Sequence, residues 1–151
     1  MAPDMWSGWG IRTLSADHPA FNPYNYQNGS VWPHDNAIIA LGFKYYGFAA
    51  EAAQIAHDIS KAASHFLLNQ LTELYTAFQR DDSNFPVQYM GANVPQAWAA
   101  GSAFMLTQAL LGFLPDAPLR GSCTSSLAAR FDHSGSPNRS APVGYPLLAR
   151  W

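Results

Sequence analysis

The stretch that decides the fold is "NGSVWPHDNAIIALGFKYYG" at residues 28–47. Pro33 suits the first position of a helix, because its missing N–H would have no partner there. Asp35 then falls in the first turn, where a carboxylate interacts favourably with the helix dipole. Apolar residues continue until Gly47, a typical helix stop. The stretch therefore predicts a helix from about residue 33 to 46, preceded by a cluster of aromatic and polar side chains.

Two further helices are predicted from hydrophobic periodicity. Residues 49–69 repeat apolar side chains at steps of three and four, and their other face is polar, which predicts a solvent-backed helix. That polar face carries Glu51, Gln54, Asp58, Lys61 and Ser64. Residues 95–114 are apolar nearly all round, which predicts burial by neighbours on several sides. The sequence thus predicts an all-α fold of about three helices.

The segments outside these helices read as loops and a tail. Residues 1–30 predict a loop with one short strand around "WGIRTLS", and residues 70–94 predict a long ordered loop of the kind that is usually functional. Residues 118–151 are rich in Ser, Gly, Pro and Arg, which indicates an irregular or disordered tail. We therefore expect one domain portion at 1–117 and a tail at 118–151.

Composition excludes several partners. Charged residues make up 12% of the chain, against about 25% in ordinary domains, and the eight Lys and Arg form no basic stripe for nucleic acid. No apolar run of about 18 residues predicts a membrane span, and no secretory signal is evident. A single cysteine fits a reducing compartment. We expect a cytoplasmic protein with no nucleic-acid or membrane partner.

Two carboxylates are candidates for chemistry. Glu73 lies in "LNQLTELYTAFQR", and its apolar, aromatic neighbours predict a raised pKa in the range of acid–base catalysis. The alternative is a surface glutamate near the end of the second helix. Asp35 is expected to cap the first helix or to accept hydrogen bonds from hydroxyl groups. The histidines at 34, 57 and 65 lack metal-ligand spacing, so no metal or other cofactor is implied.

Aromatic and amide side chains are numerous near the loops and helix starts. Flat rings stack on the apolar face of a sugar, and amides satisfy its hydroxyl groups. The alternative is ordinary core packing, which we expect at least for Trp98. The candidates are Trp6, Trp9, Tyr24, Tyr26, Trp32, Tyr75, Tyr89 and Trp98, with Asn22, Asn25, Gln27, Asn28, Asn36, Asn93 and Gln96.

Four motifs together resemble a known family. They are "SGWGIRTLS", "AFNPYNYQNGSVWPHDNAIIALGFKYYG", "LTELYTAF" and "PQAWAAGSAFMLTQALLG", in that order over residues 5–117. They resemble the C-terminal part of the catalytic domain of bacterial amylo-alpha-1,6-glucosidase or glycogen debranching enzyme-like proteins, which group with glycoside hydrolases of the glucoamylase, trehalase and mannosylglycerate hydrolase type. The resemblance implies part of an (α/α)6 toroid, the six-hairpin glycosidase fold, with an active site among the loops at one end.

The resemblance also implies a reaction and site residues. The reaction would be an inverting hydrolysis of α-glucosidic linkages in an oligosaccharide or glucan, in which one carboxyl group acts as acid and another as base. Glu73 matches the base, while the acid would be an aspartate upstream of these motifs. Residues implied to line the sugar site are Trp9, Arg12, Trp32, His34, Asp35 and Asn36. The chain is therefore expected to be a fragment, inactive without an N-terminal part.

Two other interpretations stay open. The same aromatic side chains would serve a non-catalytic helical module that binds carbohydrate or another protein. Alternatively, the chain is a remnant with no function of its own, because helices whose apolar faces lack a partner expose patches that favour aggregation or self-association.

Overall fold

The structure is a computed structural model, and it describes residues 1–81, 85–116 and 121–124. Three helices form its regular part: α1 (Pro33–Tyr45), α2 (Ala49–Ala63) and α3 (Ala97–Leu111). Each helix packs against the other two. The described chain confirms the predicted all-α class and agrees with a part of a toroid. Within these ranges, no helix is long and apolar enough to cross a membrane.

Smaller elements follow α2 and α3. A 3-10 turn spans Leu67–Asn69. A short antiparallel hairpin pairs β1 (Phe113–Asp116) with β2 (Gly121–Thr124). The latter strand lies within the segment predicted as an irregular tail, while residues 117–120 and 125–151 lie outside the described residues.

Helix α1 begins and ends close to the predicted positions. Pro33 occupies its first turn, and the N–H of Tyr46 closes the last turn by donating to the carbonyl of Gly42 at 3.1 Å. Gly47 then adopts a φ of 86°, a left-handed conformation that favours glycine, so the chain reverses there. Because only three residues separate α1 from α2 and the two helices are in contact, they form an antiparallel hairpin.

The core between the helices is built largely from alanine. Small side chains allow helices to approach closely, because the interaxial distance depends on the residues at the contact. Alanine at seven core positions is exposed by 1% or less: Ala37, Ala40, Ala52, Ala56, Ala62, Ala99 and Ala109. Ile55 and Ile59 of α2 supply the larger buried side chains.

Helix α3 differs from its prediction. Ala99, Ser102, Leu106 and Ala109 are buried along one face, whereas Phe104 is 82% exposed on another. The expectation that neighbours bury α3 on several sides is therefore wrong for the described chain, in which α1 and α2 cover a single face. The apolar face that remains is large for a surface helix.

Helix α2 differs at its end and on its polar face. It stops at Ala63, not near residue 69, and Leu68 and Asn69 further along adopt φ values of 56° and 55°, outside the right-handed helical region. Asp58, predicted to face solvent, is 2% exposed. It accepts hydrogen bonds from Gln54 at 2.7 Å and from Arg80 at 3.4 Å, so its charge is compensated inside the fold.

The loop segments are joined near the start of α1. Val31 and Tyr75 exchange two backbone hydrogen bonds of 2.9 and 3.0 Å. Isolated bridges extend this contact from Val31 to Arg12 and from Tyr75 to Gln88. The contact brings the segment around Glu73 beside the first turn of α1, which places the two candidate motifs next to each other.

Candidate active site

Glu73 lies on a buried segment that runs from residue 71 to 77. Its backbone N–H donates to the carbonyl of Asn93 at 3.0 Å, and its neighbour Leu74 is fully buried. Only 7% of Glu73 is exposed. The alternative of an ordinary surface glutamate therefore does not fit the structure.

Three donors hold the Glu73 carboxylate. The Tyr26 hydroxyl donates to Oε1 at 2.5 Å, while the Asn93 backbone N–H and side-chain amide donate to Oε2 at 3.2 and 3.0 Å. The Tyr26 hydrogen bond is the main cause that lowers the pKa of Glu73 below its ordinary value, and the Asn93 bonds lower it further. Burial opposes this shift without overcoming it.

The direction of this shift corrects the sequence-based expectation. Apolar neighbours predicted a raised pKa for Glu73, but hydrogen bonds to the charged form outweigh desolvation. In return, the bond to Glu73 raises the pKa of Tyr26, so the phenol stays protonated and keeps donating. A carboxylate that is ionised at neutral pH suits a base better than an acid.

A row of aromatic rings leads from Tyr26, which bonds to this carboxylate, to the start of α1 and on to Trp98. Tyr26 meets Trp32 edge-on with ring centroids 4.8 Å apart, and Trp32 meets His34 in the same way at 5.5 Å. His34 stacks on Trp98 at 4.2 Å. Trp98 is 60% exposed, so the expectation that it packs in the core is wrong, and its ring lies at the rim of the site.

His34 and Asp35 form a pair at the start of α1. Nε2 of His34 lies 3.2 Å from Oδ1 of Asp35, whose side chain is about half exposed. Nδ1 of His34 is buried without a hydrogen-bond partner. Asp35 does not cap the helix as expected, because the N-cap residue is Trp32 and no side chain bonds to the helix end. Its exposed oxygen is available to a polar ligand.

The other three predicted site residues have a structural role. Trp9, Arg12 and Asn36 are exposed by 1%, 5% and 0%, and their contact with a sugar stays a prediction. The amide of Asn36 bonds to the backbone of Ile11 and Trp32. Arg12 donates to backbone carbonyls, including that of Ala77 at 3.2 and 3.1 Å. These side chains position the loops that carry the site.

The sequence did not assign a catalytic role to Tyr26 or Asn93, although both contact Glu73. They were singled out only as members of a broad aromatic and amide set. Their separations from Glu73, 47 and 20 residues, left no local spacing to follow. Among the described residues, no cluster of His, Cys, Asp and Glu could hold a metal ion.

Comparisons with known proteins identify the family of this chain. A family model described as a mannosylglycerate hydrolase MGH1-like glycoside hydrolase domain matches residues 2–89. Mannosylglycerate hydrolase from Thermus thermophilus is 40% identical over 48 residues, which are 32% of this chain and 12% of that relative. The chain thus aligns with about an eighth of that relative's length. The match supports a glycoside hydrolase, but it does not support an amylo-alpha-1,6-glucosidase in particular.

Proposed function

Because the chain belongs to the mannosylglycerate hydrolase MGH1-like glycoside hydrolase family, we propose that Glu73 is the general base of a carbohydrate-cleaving site. The observation that carries the proposal is the environment of its carboxylate. Three hydrogen bonds from Tyr26 and Asn93 favour the ionised form. An ionised, oriented carboxylate beside aromatic rings is what the activation of water next to a sugar requires.

The proposed reaction is an inverting hydrolysis. Glu73 takes a proton from a water molecule, whose oxygen attacks the anomeric carbon from the face opposite the departing group. A second carboxyl group protonates the leaving oxygen, roughly 6.5 to 9.5 Å from the base in inverting enzymes. The family resemblance assigns that acid to an aspartate upstream of the motifs found here. The proposal therefore gives this chain the base side of the site.

The proposed substrate class is an oligosaccharide with an α-glucosidic linkage, as the debranching-type motifs imply. The second candidate is mannosylglycerate, the substrate after which the Thermus relative is named. Both are carbohydrates that present hydroxyl groups and an apolar ring face. The rings of Trp32 and Trp98 and the exposed oxygen of Asp35 suit either.

The test uses glycosyl fluorides, because fluoride leaves with little help from an acid. Purified chain is incubated with α-glucosyl fluoride or α-mannosyl fluoride, and fluoride release and the anomer of the free sugar are followed by NMR. We expect release above buffer with a β-sugar as the first product. Glu73→Gln lowers the rate by about 10²-fold or more, because it removes the base.

Glu51→Gln is the matched control, since Glu51 is the other glutamate and lies in the first turn of α2. Circular dichroism establishes that both variants keep the helical fold. Equal fluoride release from the two variants contradicts the assignment of Glu73. The affinities of the same chain for isomaltose, maltose, branched dextrin and mannosylglycerate then report linkage preference, because cleavage of these linkages also requires the acid that the resemblance places upstream of the motifs.

A non-catalytic carbohydrate-binding module is the second candidate function. It is favoured by the exposed rings of Tyr26 and Trp98, which need no proton transfer to bind sugar. Tryptophan fluorescence titrated with the same sugars separates the two. Binding that persists in Glu73→Gln, without fluoride release from the unmodified chain, favours the module.

A further inference from the structure

A second group of aromatic rings continues outward from the site. Tyr26 contacts Tyr89 at 5.6 Å between ring centroids, Tyr89 contacts Tyr24 at 6.4 Å, and Tyr24 contacts Phe78 at 6.1 Å. We call Tyr24, Tyr89 and Phe78 the tyrosine arm. Tyr26 bonds to the Glu73 carboxylate and also contacts Tyr89. The tyrosine arm therefore lies directly next to the site.

The rings of the arm are open to a ligand. Neighbouring rings of this row meet at interplanar angles between 45° and 60°. They are therefore not stacked in parallel, an arrangement that would cover one face of each ring. Tyr24 is 45% exposed, and Tyr89 and Phe78 are half-buried. A tyrosine has an apolar body and a polar hydroxyl, which matches a pyranose with an apolar face and a rim of hydroxyl groups.

Backbone bonds hold the arm in place before any ligand arrives. The carbonyl of Pro23, next to Tyr24, accepts the N–H of Ala77, next to Phe78, at 2.9 Å. The Asn22 side chain accepts the N–H of Tyr24 at 3.0 Å. The N–H of Ala92 donates to the carbonyl of Tyr89 at 3.0 Å. A surface that is already ordered loses less entropy on binding, so weak stacking contacts count for more.

We propose that the tyrosine arm is a second sugar subsite, which takes the neutral pyranose unit next to the one at Glu73. The inference rests on the proposed function, since Glu73 marks the position of the first unit. All three side chains of the arm are uncharged, and they offer stacking surface, which suits a neutral sugar better than an anionic group such as glycerate. The site would then recognise a disaccharide or longer chain.

The test compares ligands that differ by added sugar units. Affinities of the 151-residue chain are measured by calorimetry for maltotriose against methyl α-glucoside, and for α-mannotriose against methyl α-mannoside. We expect the trisaccharide of at least one pair to bind roughly tenfold more tightly, as one or two added stacking contacts would give. Tyr24→Ala and Tyr89→Ala remove most of this gain and leave the affinity for the methyl glycoside unchanged.

Tyr46→Ala is the control, because Tyr46 is 79% exposed on the turn between α1 and α2. It leaves both affinities unchanged. Equal affinities for trisaccharide and methyl glycoside, absence of binding by any of the sugars, or an equal loss for both ligands in the arm variants overturns the proposal. Fluoride release is measured separately. If Glu73→Gln does not change the rate of fluoride release, the assignment of Glu73 as base fails. The difference in affinity between trisaccharide and methyl glycoside reports on the tyrosine arm alone.

Discussion

The protonation state of Glu73 depends on two residues that are distant from it in sequence. Tyr26 precedes α1 and Asn93 precedes α3, yet both donate to the same carboxylate. Apolar neighbours alone would disfavour the charged form of Glu73, and the sequence around Glu73 shows only those neighbours. The motif therefore identifies Glu73 as a candidate, whereas the lowering of its pKa can be predicted only from the tertiary contacts.

Replacing Tyr26 by phenylalanine tests this dependence. The change removes the hydroxyl that donates to Oε1 and keeps the ring that packs against Trp32. We expect the pKa of Glu73 to rise toward its ordinary value of 4.5, because the largest cause of its lowering is gone. Carbon-13 NMR titration of the labelled side-chain carboxyl measures this directly. Tyr24→Phe is the control. The hydroxyl of Tyr24 takes no part in these bonds, so its removal leaves the titration of Glu73 unchanged.

The same variant has a defined effect on stability. A folded pKa below the unfolded value stabilises the fold above pH 4.5, and this stabilisation is lost as pH falls through the folded pKa. The wild-type chain should therefore exceed Tyr26→Phe in free energy of unfolding by more at about pH 7 than at about pH 3. Urea titrations at the two pH values give the difference. An equal difference in the free energy of unfolding at both pH values would exclude the hydrogen bond between Tyr26 and Glu73 as the cause.

At the scale of the elements, helix starts and stops were predicted better than helix surroundings. Pro33 and Gly47 mark the boundaries of α1 through backbone chemistry that is local to each residue, whereas α3 spans Ala97–Leu111 and is shorter at both ends than the predicted 95–114. The end of α2 was missed, since apolar residues continue the stripe while the backbone turns left-handed at Leu68. The exposed side of α3 was missed too, because composition does not reveal how many neighbours a helix has.

A matched pair of substitutions tests the one-sided burial of α3. Leu106 is 4% exposed, so Leu106→Ala should reduce the free energy of unfolding by about 2–4 kcal/mol through lost contacts and a cavity. Phe104→Ala, two residues away, should change it by less than about 0.5 kcal/mol, because Phe104 is 82% exposed. Both follow from urea denaturation monitored by circular dichroism. Similar losses in the two variants would show that α3 is covered on both faces.

For the whole molecule, the all-α class and the order of three helices followed from periodicity, but the assembly of the site did not. The site depends on loops that meet through Val31 and Tyr75, and no repeating pattern in sequence signals that pairing. The resemblance assigns Trp9, Arg12 and Asn36 to the sugar, which stays a prediction, and their burial gives them a structural role in those loops as well. Residues shared with a family report a common structure as readily as a common ligand contact.

The exposed apolar side chains of α3 make self-association a prediction for the whole chain. Phe104 and Leu111 are 82% and 67% exposed. We expect the apparent mass in size-exclusion chromatography with light scattering to rise with concentration, and Phe104→Lys to reduce this rise. Ala53→Lys adds the same charge on the exposed side of α2 and serves as the control. A monomer at every concentration would refute the expectation.

The α1–α2 hairpin also restricts which changes in chain length the protein tolerates. Helix α1 leads away from the site for 13 residues and α2 returns for 15, joined by a three-residue turn. Each residue inserted into one helix alone moves the returning end by about 1.5 Å and rotates it by about 100°. Tyr26 precedes this hairpin in the chain and Glu73 follows it, yet the two side chains must meet, so insertions and deletions should accumulate at the Tyr46–Phe48 turn and be absent from the helices themselves.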